Sequence, residues 1–181
     1  MQKIVLTFGL IGGALLALMM LATVPFQDQI GFDKGAYIGY TTMVLAFLMV
    51  YFGVQSYRDN VAGGSITFGR AFKVGLLISL VIVACYVATW QVMYYGFMPD
   101  FLDKYTAYAL EQARQSGASA DAIAAQAKEM QEFGEMYKNP LVNIAFTILE
   151  PLPVAVVFTL VTAGVVSRKR TTQAESAAAA R

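Results

Sequence analysis

The chain has 181 residues, of which 57% are hydrophobic and 14% charged, with a formal net charge of +1 and a mean hydropathy of +0.56. Soluble domains carry about 25% charged residues, so this composition points to a protein embedded in lipid, and the near-neutral balance argues against a nucleic-acid partner, which calls for a strongly basic face. There is no histidine and a single cysteine, Cys85; this excludes His-ligated zinc or haem, Ser-His and Cys-His catalytic arrangements, CxxC sites and intrachain disulfides, and no cofactor or metal is expected.

Met1-Gln2-Lys3 leads into an apolar run from Ile4 to Val24. That run exceeds the ~7–15 residue core of a secretory signal, and no small-x-small cleavage site follows it. It reads as an uncleaved first span over residues 4–24. Gly9, Gly13 and Ala17 recur every fourth residue, the small-xxx-small spacing that lets two helix backbones approach closely; the alternative is glycine facing lipid. Pro25 to Lys34, with Asp28 and Asp33, is expected to be a short polar connection. A second span over 36–56 carries Tyr37, Tyr40, Tyr51 and Tyr57 towards its ends, as aromatic belts do. Thr41 and Thr42 inside it should bond back to the carbonyl one turn earlier.

The next connection contains the turn signal Gly63-Gly64, after which Ser65 or Thr67 is placed to cap a helix. Phe68 and Phe72 lie one turn apart with Arg70 and Lys73 beside them. This suits a helix start at headgroup level, rings in lipid and cations towards phosphate; Arg58, Arg70 and Lys73 form an interfacial basic loop. Gly64-x-x-x-x-Gly69-Arg70-Ala71 lacks the lysine and hydroxyl of a phosphate-binding loop. The third span covers 73–98, with Tyr94, Tyr95 and Phe97 as its belt. Cys85 within it acts as a small hydrophobe. Tyr86, Thr89, Trp90 and Gln91 lie deeper, so some of them must face protein.

Residues 99–139 are soluble in character. Phe101/Leu102, Tyr105, Tyr108/Ala109 and Gln112 recur at helical spacing, Gly117 reads as a helix stop, and Ser119 as the next N-cap. Ile123, Ala127, Met130, Phe133/Gly134 and Tyr137 give a second stripe. The result is an αα-hairpin that leaves the membrane and returns. Its second helix is alanine-rich, so it should rest on the bundle, the lipid surface or a partner. Glu129, Glu132 and Glu135 read as a solvated face, since a di-iron carboxylate site wants Glu-x-x-His pairs. The fourth span, 141–166, follows Asn139-Pro140 and is interrupted by Glu150-Pro151-Leu152-Pro153. The tail, 171–181, has nothing to bury and is expected to be disordered. Residues 1–170 thus form one membrane-embedded domain. The fold class is all-α: a polytopic four-helix bundle of four transmembrane helices, with an extramembrane hairpin between spans three and four.

The last span carries the candidate site. Asn143, Thr147 and Glu150 share a helix face. Pro151 and Pro153 have no amide hydrogen, so the carbonyls of Thr147 and Leu149 lose their helical partners and the helix kinks. A carboxylate beside freed carbonyls resembles the broken-helix sites where transporters hold small cations or protons. An acid at mid-bilayer costs about 2.5–3.5 kcal/mol on insertion scales, and its depth depends on where the span begins. Counting inward from the outer face puts Gln91 and Thr89 of span three level with Glu150. The competing reading is a structural kink whose acid is protonated or hydrogen-bonded to Tyr86, Thr89, Trp90 or Gln91. Hydrogen bonds between spans three and four follow from both.

Lys3, Arg58, Arg70, Lys73, Arg168, Lys169 and Arg170 fall on one side, while Asp28, Asp33 and the acidic hairpin fall on the other. The positive-inside rule then places both termini in the cytoplasm and hairpin 99–139 in the periplasm.

The segment Gly63-Gly64-x-Ile66-Thr67-Phe68-Gly69-x-Ala71-Phe72-Lys73-x-Gly75 resembles the hallmark of the bacterial domain-of-unknown-function 4199 family. Pro99-Asp100-Phe101 and Glu150-Pro151-Leu152-Pro153-Val154 are similar to its later blocks, and the resemblance covers nearly the whole chain apart from the tail. It implies a small four-span inner-membrane protein of Gram-negative bacteria and brings no established activity. The leading functional expectation is therefore a partner-binding or structural membrane component. It would sit in the lipid bilayer and engage a protein partner or a second copy through hairpin 99–139, or a partner through the basic loop. The alternative is a small ion- or proton-coupled transporter subunit using Glu150, although four spans are few and no internal repeat is evident. Enzymatic activity is not expected, because little remains to run hydrolysis.

Overall fold

Inside lipid a backbone must satisfy its own polar groups, and the four apolar runs do so as helices. The computed structural model describes residues 1–168, which hold no strand; Lys169, Arg170 and the tail expected to be disordered lie outside the described residues. The elements are α1 (Gln2–Thr23), α2 (Gln27–Ile30), α3 (Phe32–Asn60), α4 (Phe68–Gly96), α5 (Phe101–Gln115), α6 (Ala120–Tyr137), α7 (Pro140–Leu149) and α8 (Leu152–Val166). Gln2–Ile30, Phe32–Asn60, Phe68–Gly96 and Pro140–Val166 are each long and apolar enough to cross a membrane.

The expected polar connection at Pro25–Lys34 is instead mostly helical. Val24–Phe26 form a 3₁₀ turn with Pro25 in its first positions, where a missing amide hydrogen costs nothing, and α2 follows directly. Gly31, at φ +82°, ends the run, so the second long helix starts at Phe32.

The helices α3 and α4 form the central pair; α1 packs against both on one side and α8 against both on the other. The α1–α4 seam depends on the spaced glycines. A Cβ on Gly9 would lie 2.6 Å from Val81 Cβ, and one on Gly13 would lie 2.5 Å from Cys85 Cβ. Cys85 is accordingly a half-buried packing residue. Towards the end of the bundle where α3 turns into α4 (the loop end), Phe47, Val50, Val54, Ile78 and Ile82 are completely buried. Outward-facing Leu6, Leu10, Leu18, Leu80, Val157 and Val161 are more than half exposed, a surface suited to hydrocarbon.

Thr67 does occupy the N-cap of α4 in an extended conformation, but its side chain makes no capping bond. Phe68 and Phe72 stack at 6.3 Å. Two cations of the basic loop have partners within the protein. Arg70 Nε donates to the Tyr57 hydroxyl at 3.1 Å with its guanidinium over that ring, and Arg58 pairs with Asp59 at 2.7 Å. Lys73 remains exposed. A ring and a carboxylate within reach give these guanidinium groups fixed partners. Thr42 bonds back to Ile38 as expected.

The hairpin rests on the opposite end of the bundle (the hairpin end). Gly117 at φ +81° makes its turn, and the Ser119 hydroxyl accepts from the Ala122 amide at 3.2 Å. Phe101, Tyr105 and Tyr108 surround Phe32 with ring centroids 5.9, 5.4 and 5.0 Å away. Tyr94, expected in an interfacial belt with Tyr95 and Phe97, is buried against Trp90 and Tyr137, whereas its two neighbours are exposed. Two polar links fasten α5 to the first half of the chain: Tyr108 donates to Asp33 at 2.5 Å and Lys104 to Asp28 at 2.9 Å. The bond to Asp28, then that to Asp100, holds the Lys104 ammonium above the ordinary lysine value. A pKa raised on folding means that this link is intact below the ordinary lysine value and is lost only as pH climbs through the raised one.

Gly13→Ala should lower unfolding stability in detergent by about 1–3 kcal/mol through overpacking against Cys85. Gly164→Ala, where an added Cβ meets nothing within 4 Å, should be neutral or stabilising; thermal unfolding followed by circular dichroism compares the two.

Candidate functional site

Asn139 opens the last span by accepting the Leu141 amide at 3.0 Å, with Pro140 in the first helical position. The helix α7 ends at Leu149. Glu150 and Pro151 keep right-handed dihedrals (φ −63°, ψ −55° and φ −78°, ψ −11°), and α8 resumes at Leu152. The break is therefore a kink rather than a loop, as two amide-less prolines two positions apart dictate. The bend changes the neighbours: α8 lies against α3 and α4, whereas α7 lies against α4 and α6.

Across the seam between α4 and the kinked span runs a column of polar pairs. Gln91 Nε2 donates to Asn143 Oδ1 at 2.7 Å, the Tyr86 hydroxyl donates to Glu150 Oε2 at 2.5 Å, and Ser79 shares a buried bond with Thr159 at 3.0 Å. These partners step in opposite directions along two antiparallel spans, so one register accounts for all three. The Thr147 hydroxyl donates to the Asn143 carbonyl at 2.8 Å, and Trp90 Nε1 donates to the Tyr137 hydroxyl at 3.0 Å. Asn143 is fully buried and its Nδ2 has no partner among the described residues.

The hydrogen bonding expected between spans three and four is present, with a different partner for the acid. Gln91 meets Asn143, and Thr89 bonds back to the Cys85 carbonyl at 2.8 Å instead of crossing to Glu150. A threonine in a helix finds that acceptor without help from a neighbour. The acid is level with Tyr86, five residues beyond Gln91 or about 7.5 Å further from the hairpin end, and therefore near the middle of the span. Pro151 is buried at the kink, and Pro153 is exposed. Arg58, Arg70 and Lys73 belong to the loop end, separate from this column.

Glu150 nevertheless remains exposed, because it borders a cavity of about 370 Å³. The walls come from the second half of α1 (Leu16, Met20), the first half of α3 (Tyr40, Met43), and Tyr86 and Trp90 of α4; Phe101 and Tyr105 of α5 cover it at the hairpin end. Every lining residue lies between the hairpin end and the level of Glu150, and the packed loop-end half begins beyond it. No lysine or arginine pairs with Glu150 among the described residues. Tyr40 and the α5 rings could not be assigned to this site from spacing, since they arrive from separate elements. The Ser79–Thr159 pair left one sequence signal: hydroxyls within two apolar runs.

Fold and site together define an all-helical, multi-pass membrane protein in which a polar column and an acid-floored cavity adjoin a kinked helix. The chain belongs to the family described as "Protein of unknown function (DUF4199)", whose model matches residues 7–168. No curated protein and no solved structure matches it.

If Gln91 and Asn143 are bonded, Gln91→Ala and Asn143→Ala should couple in a double-mutant cycle by about 0.6 kcal/mol, with ~1.7 as an upper bound. Strictly additive losses of detergent stability would rule out that bond.

Proposed function

We propose that this chain is a non-enzymatic binding protein of a bacterial inner membrane, with both termini cytoplasmic and the α5–α6 hairpin periplasmic. The excess of Lys3, Arg58, Arg70, Lys73 and Arg168 at the loop end, against Asp28, Asp33 and the acidic hairpin at the other, supports the orientation. The observation that carries the binding role is the blind cavity. It reaches inward from the hairpin end, its lining stops at Tyr86 and Glu150, and beyond it Phe47, Val50, Val54, Ile78 and Ile82 are completely buried. Such a shape holds a ligand and offers it no continuation. Because α5 covers the cavity, the hairpin is the surface on which a protein partner or a second copy would sense occupancy.

A second reading, a proton- or cation-coupled transporter subunit, draws on the kink itself. The carbonyls of Thr147 and Leu149 face Pro151 and Pro153, which have no amide hydrogen to give, and Glu150 is adjacent.

Reconstitution into liposomes separates the two. The binding reading expects no proton or monovalent-cation flux above empty vesicles for the natural chain or for Glu150→Gln. Flux that is present in the natural chain and abolished by Glu150→Gln would establish transport and overturn the binding reading. A reporter enzyme inserted after Gly117 should be active only as a periplasmic fusion.

A further inference from the structure

We infer that the cavity above Glu150 is a site for a small amphipathic amine, its ammonium group seated against the carboxylate oxygen that Tyr86 does not engage. The inference rests on the binding reading above and adds the chemistry of the ligand. Charge gives the first reason. Glu150 is a carboxylate near mid-span, bonded to one neutral hydroxyl and paired with no lysine or arginine among the described residues. An acid that lies within a membrane span without a basic partner is complemented by a ligand that brings a positive charge, and the cavity is the open side from which one can arrive.

The walls give the second reason. Tyr40, Trp90 and Phe101 bring aromatic rings to the same space, and ring faces attract ammonium groups, above all quaternary ones. Met20 and Met43 add flexible, polarizable thioethers, which adapt to an apolar body of no fixed shape. No lysine or arginine lines the cavity, so nothing there would select an anion.

Size and depth give the third. A cavity of about 370 Å³ lies in the range of sites that take small organic molecules. For a two-tailed phospholipid to meet the acid, its headgroup would have to leave the interface for the middle of the span. A free amine with a short apolar body meets both limits.

Trp90 is the only tryptophan of the chain and stands in the cavity wall, so its emission reports occupancy directly. The full chain, purified in a neutral maltoside detergent, would be titrated with 4-phenylbutylamine and, separately, with the uncharged 4-phenylbutanol. The expected result is a saturable change in Trp90 emission for the amine, with at least tenfold weaker binding of the alcohol. Glu150→Gln should weaken amine binding by the same factor and leave the alcohol unaffected. Equal affinity for amine and alcohol overturns the proposal, as does an unchanged amine affinity in Glu150→Gln or no saturable response from folded protein. Should Glu150→Gln fail to fold, the amine–alcohol comparison on the natural chain decides alone. Saturable quenching by tail-brominated phosphatidylethanolamine in nanodiscs, competed away by the amine, would make a lipid the occupant and overturn the assignment to a small molecule. Amine uptake into liposomes would sink the blind-cavity reading while leaving the ligand class standing. Absence of both uptake and binding would remove only the ligand class.

Discussion

A carboxylate halfway along a membrane helix must be met by something, and here the Tyr86 hydroxyl meets it. That bond fixes how far α4 slides against the last span, because a tyrosine reaches only one level of its neighbour. Gln91 with Asn143 and Ser79 with Thr159 then fall into the same register on either side. In lipid there is no hydrophobic force to press helices together, so packing and such polar contacts decide which arrangement is adopted. The two prolines after Glu150 remove the local amides that would otherwise straighten the helix, and the resulting bend keeps α8 on α3 and α4 while α7 turns to α4 and α6. Acid, kink and cavity are one arrangement.

The bundle divides at that level. Towards the loop end, Gly9 and Gly13 let α1 approach α4 until side chains touch backbone, and the large aliphatic and aromatic residues of α3 and α4 fill the interior. Towards the hairpin end the helices part, and Tyr40, Trp90, Phe101 and Tyr105 line space instead of filling it. A tightly packed half gives the loose half a rigid floor, which is what a site needs if its acid is to be held in one place.

Much of this was legible in the sequence, because hydropathy and backbone chemistry are local. The four long helices, the Gly117 turn, the Ser119 cap and the kink at Glu150-Pro151 all follow from runs of residues and from what glycine, serine and proline do to a chain. The resemblance carried by residues 63–75 holds in the family match over residues 7–168. Tyr86 was already among the candidate partners of the acid. What could not be read was everything set by a neighbour. Counting residues inward takes no account of how far a side chain reaches, so it placed Glu150 level with Gln91 and Thr89 when the acid is bonded to Tyr86. The bond from Arg70 to Tyr57 joins two elements and has no local signal, and Pro25 looked like a break although the first position of a 3₁₀ turn accepts it. The cavity takes lining residues from every helix between α1 and α7, and no window of sequence contains them all.

The hairpin is attached twice, and differently at its two ends. Through Lys104 and Tyr108 its first helix is bonded to Asp28 and Asp33, on the wall built by the first half of the chain. Its second helix runs without a loop of any length into α7, on the opposite wall. A cover bonded to one jamb and continuous with the other cannot stay still if the doorway widens. Spreading the two walls would therefore tilt the hairpin, so that a displacement at the level of Glu150 is carried to the hairpin end of the bundle.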